Sequence, residues 1–301
     1  MGEPDKTQKM LLGYNDEFAE VFSVFALKNK IQIEPEFLEN SSTEYEHFET
    51  SRVGELRCDV VKHYKNAELG IIAIFGIENQ MTVDYKMPVR VMGYDWTKYR
   101  EQLEKTSELT RGTRIQPVIS LVINFSYQQK WDWPVSLKDL LDIPPALEEF
   151  VQDYKIVVVN LAWLSDEERA ELKGDIRILA DALSEMRLKG HFSGSERRVK
   201  HVQALLAAVA AITHDSSYTY MDTVNFKDGE TTMNNLYEQW KASIRQEAFS
   251  DGEKSGFSSG EKTKSCQVAR KLLSMNQFNY ETISEITGLS LHELQLLEQK
   301  N

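Results

Sequence analysis

The sequence predicts an α/β fold in which a mixed sheet is flanked by helices and followed by a helical C-terminal extension. Two nearly uninterrupted apolar runs, residues 70–77 and 117–125, are typical of strands buried on both faces of a sheet. One helical pattern of apolar residues precedes these runs and another lies between them. Because helices and strands alternate in this way, they indicate one mixed α/β core at about residues 14–161.

The first part of the core begins with a helix. Asn15 is a suitable N-cap, and apolar residues at helical spacing predict a helix that ends near Asn29. Residues 31–51 are rich in Glu, Ser and Thr and carry Pro35, which predicts a variable loop with at most a short strand or turn. Strands are predicted at residues 56–64, 70–77, 117–125 and 154–161. The polar turn at 65–70 joins the first two strands, which we expect to be neighbours.

The second part of the core contains a helix that is expected to lie over the sheet. This helix is expected to begin beyond Pro88 and to fade near Thr106. An aromatic loop at residues 131–134 follows the strand at 117–125 and leads to a short helix capped by Ser136.

The C-terminal half is predicted to be helical. Ser165 is followed by three acidic residues, which favour the positive end of a helix dipole, and three helices are expected up to Ser250. The last segment resembles a small helix-turn-helix. The predicted organisation is an α/β core at 1–161, a helical subdomain at 162–250, a flexible connector at 251–263 and the helix-turn-helix-like segment at 264–301.

Composition narrows the class of protein. The 301 residues carry a formal net charge of −12, which argues against nonspecific nucleic-acid binding by the whole surface but permits a local basic groove. No apolar run is long enough for a membrane span, so we expect a cytoplasmic protein without a membrane partner. The two cysteines lie far apart, which argues against a zinc site and against a disulfide framework.

Two carboxylates on the predicted hairpin are the candidate chemical centre. Asp59 lies in the first strand and Glu78 at the end of the second, so antiparallel pairing brings them side by side. Side chains alternate along a strand, so Glu78 and Gln80 lie on one face and Asn79 on the other. Phosphodiester hydrolysis with Mg²⁺ requires such oxygen ligands. On spacing alone, carboxylates at strand ends are more often solvated or ion-paired than catalytic.

This arrangement suggests a role for each of four residues, Asp59, Glu78, Asn79 and Gln80. Asp59 and Glu78 would ligate Mg²⁺, or Mn²⁺ as a substitute, with the backbone carbonyl of Asn79 assisting. The Gln80 amide would position the attacking water or a phosphate oxygen. Glu20 on the first helix is a further candidate metal ligand, although a helix carboxylate of this kind usually faces solvent.

A cation is also needed beside the carboxylates, because Gln80 cannot supply one. Lys62, Lys86 and Arg90 are the candidates for contact with phosphate and DNA, and Arg90 could make a bidentate contact. The alternative for Arg90 is a structural ion pair. Trp131 and Trp133 are by default packing residues and not platforms for bases.

The chain resembles the recombination-promoting nuclease and YhgA-like transposase family, a branch of the PD-(D/E)XK nuclease superfamily. The matching stretches are residues 18–22, 57–62, 76–80, 87–90, 94–95, 117–122, 131–134 and 154–155, with 286–290 near the end. The resemblance implies a restriction-endonuclease-like core and metal-dependent DNA cleavage. It places Asp59 and Glu78 at the acidic positions and Gln80 where the superfamily usually has lysine. Cys58 stands where arginine is expected, and Glu20 where Asp is more common.

Two functions of different classes follow. The first is a Mg²⁺-dependent DNA endonuclease that promotes recombination by making breaks. The second is a catalytically silent DNA- or protein-binding module that retains the fold, and its C-terminal helices would mediate recognition or self-association into a homo-oligomer. The acidic charge and the missing lysine favour the second.

Overall fold

The computed structural model describes residues 11–41, 44–47, 54–57, 59–68, 71–106, 110–215, 217–221, 231–254, 261–275 and 277–298. The chain divides into two compact units, Met1–Phe192 and Ser193–Asn301. The first unit contains the sheet and the helices that cover it, so all candidate site residues belong to it.

Five strands of the first unit form a mixed sheet. They are β1 (Leu38–Asn40), β4 (Val60–Asn66), β5 (Ile71–Gln80), β6 (Val118–Asn124) and β7 (Val157–Asn160), in the spatial order β1-β4-β5-β6-β7. Strand β4 pairs antiparallel with β1 and β5, whereas β5, β6 and β7 are parallel. Strands β2 (Glu44–His47) and β3 (Gly54–Arg57) pair separately with each other.

Helices cover both faces of the sheet. On one face, helix α2 (Met87–Glu104) buries Val91 and Tyr94 against Ile74 of β5 and Val122 of β6. On the other face lies helix α1 (Asn15–Val21), which continues as a π-helix (Phe22–Ala26). Phe22 stacks on Phe75 of β5 with ring centroids 4.5 Å apart. The structure therefore confirms the predicted α/β class with a mixed sheet flanked by helices, which is consistent with a restriction-endonuclease-like fold.

The remaining helices of the first unit differ in length from the predictions. Instead of the short helix expected after Ser136 there is one 3₁₀ turn (Lys138–Leu140), which ends at Leu141 because the backbone there is extended. Asp139 accepts hydrogen bonds from the Val135 and Ser136 N–H groups at the start of this turn. Ser165 does begin a helix, α3 (Asp166–Ala170), through a capping box with Glu168. Helix α4 (Asp175–Lys189) follows and belongs to the sheet-containing unit.

The second unit is mainly helical. Its elements are β8 (Arg198–Val199), α5 (Val202–Thr213), α6 (Ser217–Tyr220), β9 (Thr231–Thr232), α7 (Met233–Lys254), α8 (Glu261–Met275), α9 (Tyr280–Thr287) and α10 (Leu291–Glu298). Helices α8, α9 and α10 contact one another in the region of the expected helix-turn-helix. The start of the expected connector belongs to α7, and residues 255–260 of it lie outside the described residues. No helix of the described part of the chain is long and apolar enough to cross a membrane.

Candidate functional site at the end of the central hairpin

The β4–β5 hairpin brings the two candidate carboxylates together. Val60 pairs with Ile77 and Val61 with Gly76, so the same register, continued by one residue, places Asp59 opposite Glu78. Directly opposite residues of an antiparallel pair lie on the same face of the sheet. That face is the one covered by α2, because Val61 and Ile74 pack there. The hairpin expected from the sequence is therefore present.

Asp59 is held by the backbone of Asn79. The Asn79 N–H donates to Asp59 Oδ2 at 2.8 Å. This hydrogen bond to a side chain replaces the backbone hydrogen bond that would otherwise continue the strand pairing just before β4 begins. Because the N–H and C=O of one strand residue point toward the same neighbouring strand, the Asn79 carbonyl is directed to the same side. The Asn79 side chain is buried on the opposite face.

Glu78 is buried, and two donors reach the same oxygen. Its side chain is 4% exposed. Oε1 accepts from Arg90 Nη2 at 2.5 Å and from Gln80 Nε2 at 3.0 Å. A buried carboxylate requires a cation or several donors to remain charged, and Arg90 supplies the charge. Gln80, expected to position a water or a phosphate oxygen, donates here to Glu78.

Arg90 links Glu78 to two residues that the sequence reasoning missed, Asp84 and Tyr94. Its Nη1 donates to Asp84 Oδ2 at 2.6 Å, and its Nε and Nη2 donate to the Tyr94 hydroxyl at 3.0 and 2.8 Å. The spacing of Arg90 and Tyr94, four residues apart on one helix, is a signal that could have found Tyr94. Asp84 lies in the turn before the helix, and only the folded loop brings it to Arg90.

The pKa values of Asp84 and Arg90 are both shifted in the direction that favours their charged forms. Burial by itself raises the pKa of Asp84, but the hydrogen bonds from Arg90 and from the Lys86 N–H outweigh it and hold the pKa below its usual value. Burial likewise opposes the charge of Arg90, yet Glu78, Asp84 and Tyr94 together raise the pKa of its guanidinium. The Arg90 guanidinium therefore binds two carboxylates, Glu78 and Asp84.

Lys86 lies at the edge of this group, whereas Lys62 and Glu20 do not join it. Lys86 precedes α2 as its N-cap residue and is exposed. Lys62 is fully buried, and its Nζ donates to the Gly13 carbonyl and to Asn15 Oδ1 and Asn40 Oδ1 at 2.7–2.8 Å. Lys62 is paired with Phe75 and so faces α1, on the other side of the sheet from Glu78.

Glu20 is occupied at a different place in the first unit. Its two carboxylate oxygens accept from the N–H groups of Lys173 and Gly174 at 2.6 and 2.9 Å. Glu17, one turn earlier, accepts in the same way from Asp175 and Ile176 at 2.8 Å each. These carboxylates satisfy the orphan N–H groups at the start of α4, as acidic residues do at the positive end of a helix.

The donor set at the hairpin suits a hard divalent cation. Asp59 and Glu78 offer carboxylate oxygens from adjacent strands, and Mg²⁺ is usually bound by one or two carboxylates with water or substrate phosphate. Among the described residues, no three carboxylates drawn from Asp59, Glu78, Asp84 and Glu20 bring their oxygens within 4.8 Å of one another. The residues therefore fit a two-carboxylate site that substrate would complete.

Comparison with known families gives one match. A family model described as "Putative transposase, YhgA-like" matches residues 38–214, which is more than half of the chain. The chain belongs to this family. The match includes Asp59, Glu78 and Arg90, so the whole hairpin site lies inside the YhgA-like region, as does helix α5 of the second unit. Neither the curated proteins nor the solved structures contain a match.

Proposed function

We propose that this member of the YhgA-like family is a metal-dependent DNA endonuclease whose centre is the pair Asp59 and Glu78. The observation that supports the proposal is their placement opposite each other at the end of a buried hairpin, next to a guanidinium. The family description, a transposase, implies DNA as the partner. Two carboxylates bound to one guanidinium, with Asp59 on the neighbouring strand, leave negative charge that a divalent cation would balance.

Each residue of the group has a defined role in cleavage. Asp59 and Glu78, with the Asn79 carbonyl, would hold Mg²⁺ or Mn²⁺. Such an ion polarises the phosphoryl oxygen and lowers the pKa of a bound water when present. Gln80 orients the Glu78 carboxylate through the hydrogen bond to Oε1. Arg90 takes the place of the superfamily lysine as the fixed positive charge, and exposed Lys86 offers a further phosphate contact.

Plasmid nicking with purified full-length protein tests the assignment. The sharpest variant is Asp59→Asn, because Asn retains an oxygen that can accept from the Asn79 N–H but loses the negative charge. Glu78→Gln is the matching change on the other strand. We expect each to reduce Mg²⁺-dependent nicking at least about a hundredfold, since a loss of roughly 3 kcal/mol in transition-state stabilisation corresponds to two powers of ten.

The control is Asp142→Asn, which removes an equal charge from an exposed residue remote in sequence from the hairpin. This variant should nick like wild type. Equal activity in wild type and Asp59→Asn would overturn the assignment of the centre. Activity that persists with excess chelator would overturn the requirement for a metal.

One observation favours the rival function, a catalytically silent binding module. Arg90 already contacts Glu78 Oε1 at 2.5 Å, so a cation at that oxygen must share it with the guanidinium or displace it. The rival predicts no cleavage with Mg²⁺ or Mn²⁺, together with DNA retention or dimerisation that is lost when residues after Ser250 are removed. Binding that survives this truncation would count against it.

A further inference from the structure

Two aromatic side chains meet on the surface near the hairpin site. The rings of Tyr85 and Trp133 have centroids 5.7 Å apart and are tilted by 54°. Tyr85 is 52% exposed and Trp133 is 51% exposed. Large aromatic residues usually bury most of their surface, so a contacting pair in which each residue is about half exposed is unusual. Because the rings are tilted and not stacked, they do not cover each other's faces.

Packing of the loop does not require Trp133, because the neighbouring Trp131 anchors it. Trp131 is 1% exposed, its Nε1 donates to the Pro134 carbonyl at 3.0 Å, and its backbone bonds to Asn160 at 2.7 and 2.8 Å. The loop is therefore fixed on both sides of Trp133. The exposed ring is held in place without being buried itself.

Tyr85 is fixed in a similar way by its neighbours. Asp84, directly before it, accepts from Arg90 at 2.6 Å and from the Lys86 N–H at 2.8 Å. Arg90 in turn contacts Glu78. A short chain of hydrogen bonds therefore connects the position of Tyr85 to the carboxylate centre. A loop backbone held in this manner loses little conformational entropy when a ligand binds.

Both aromatic residues lie on loops that leave the same edge of the sheet. Strands β5 and β6 are parallel and end side by side, with Gln80 paired with Asn124 and the Phe125 N–H bonded to the Gln80 carbonyl at 2.8 Å. The loop after β5 carries Tyr85 and the loop after β6 carries Trp133. Ligands of open α/β sheets bind beyond the carboxyl ends of such strands.

We propose that Tyr85 and Trp133 form a binding subsite for an unpaired nucleobase of the DNA substrate. The inference rests on the proposed function, which supplies DNA as the ligand. A base in a duplex is covered by its neighbours, whereas an unpaired base has a free π-face that stacks on an aromatic ring. The exposed lysines Lys86 and Lys130 beside the two loops, against one exposed acid, Asp132, suit the adjoining phosphates.

The test measures equilibrium binding in Ca²⁺, without cleavage, by the fluorescence anisotropy of a labelled single strand of about 12 nucleotides. Tyr85→Ala and Trp133→Ala are each expected to weaken binding about tenfold, because stacking on one aromatic ring has about this effect. Tyr85→Phe and Trp133→Phe retain a ring and should stay close to wild type. Trp96→Ala removes an aromatic residue that is 57% exposed on α2 and serves as the matched control.

A strand of the same length in which the bases are replaced by abasic sites separates stacking from fold effects. Wild type should bind the abasic strand about tenfold more weakly, and the alanine variants should lose nothing further on it. Equal binding of abasic and base-bearing strands by wild type would overturn the proposal, even if the alanine variants did not fold. An equal loss on both strands by the alanine variants would also overturn it.

Two further DNAs distinguish the source of the base. If wild type binds a mismatched duplex more tightly than a fully paired one, and Trp133→Ala abolishes this difference, the subsite is assigned to a base turned out of a duplex. An effect confined to the single strand would assign it to single-stranded DNA. If Asp59→Asn nicks like wild type while the stacking losses persist, the nuclease centre fails and the subsite stands. If nicking depends on Asp59 and no stacking loss occurs, only the subsite fails.

Discussion

Removal of Arg90 should destabilise the protein because it leaves Glu78 charged and buried. Glu78 is 4% exposed, and without Arg90 its Oε1 loses a cationic donor and keeps the neutral donor Gln80 at 3.0 Å. Loss of one partner of a fully buried ion pair costs about 3–5 kcal/mol. Since the Arg90 side chain is itself 33% exposed, water can partly replace it. We therefore expect Arg90→Met to lower the free energy of unfolding by about 2–3 kcal/mol.

A double-mutant cycle tests this reasoning by urea unfolding of the full chain, followed by circular dichroism and by tryptophan fluorescence. In Glu78→Gln the buried group is neutral, so Arg90→Met added to it should cost about 1–2 kcal/mol less than in wild type. Lys65→Met breaks an exposed ion pair with Glu39 in the same unit and should leave stability unchanged within error. If Arg90→Met behaved like Lys65→Met, or if the two site changes were simply additive, the buried ion pair would not have the role assigned to it.

Two further predictions concern the start of helix α4. Gly174→Ala would place a Cβ 2.6–2.8 Å from carboxylate oxygens of Glu17 and Glu20, so the protein should unfold at a temperature several degrees lower. Gly112→Ala is the control, because its Cβ would have its nearest contact at 3.9 Å, and it should change the unfolding temperature little. Burial, opposed by two backbone hydrogen bonds, raises the pKa of Glu17 from 4.5 to about 7. The folded state therefore binds this proton more tightly than the unfolded state does. The stabilisation of the folded state by this proton is complete below about pH 4.5 and is lost as the pH rises through about 7. Unfolding free energies measured from pH 5 to 8 should fall less steeply in Glu17→Gln, and equal slopes would contradict the raised pKa.

Part of the candidate site could be predicted because local rules determine it. The hairpin follows from two strands and a polar turn, and the alternation of strand residues places Glu78 and Gln80 on one face. The same alternation could have excluded Lys62 from this face, because Asp59 and Lys62 are separated by an odd number of positions. Lys62 is close to Asp59 in sequence, but its side chain lies on the face covered by α1.

Other features could not be read from local patterns. Glu20 is a typical amphipathic-helix carboxylate in the sequence, and its role at the start of α4 depends on a contact between residues more than 150 positions apart. Likewise Asp84 is one acidic residue in a turn. Its meeting with Arg90 depends on how the chain after β5 turns into α2.

Local patterns along the chain were sufficient for the α/β class, the buried strands, the helix start at Ser165 and the hairpin that carries Asp59 and Glu78. Each of these depends on the period of a strand or helix, or on contacts between residues close along the chain, and such rules operate before the protein packs. The charged groups that surround Glu78, and the meeting of Tyr85 with Trp133 beside them, became visible only in the folded chain. Those contacts join separate loops and a helix, whose relative positions are set by burial of the whole apolar core.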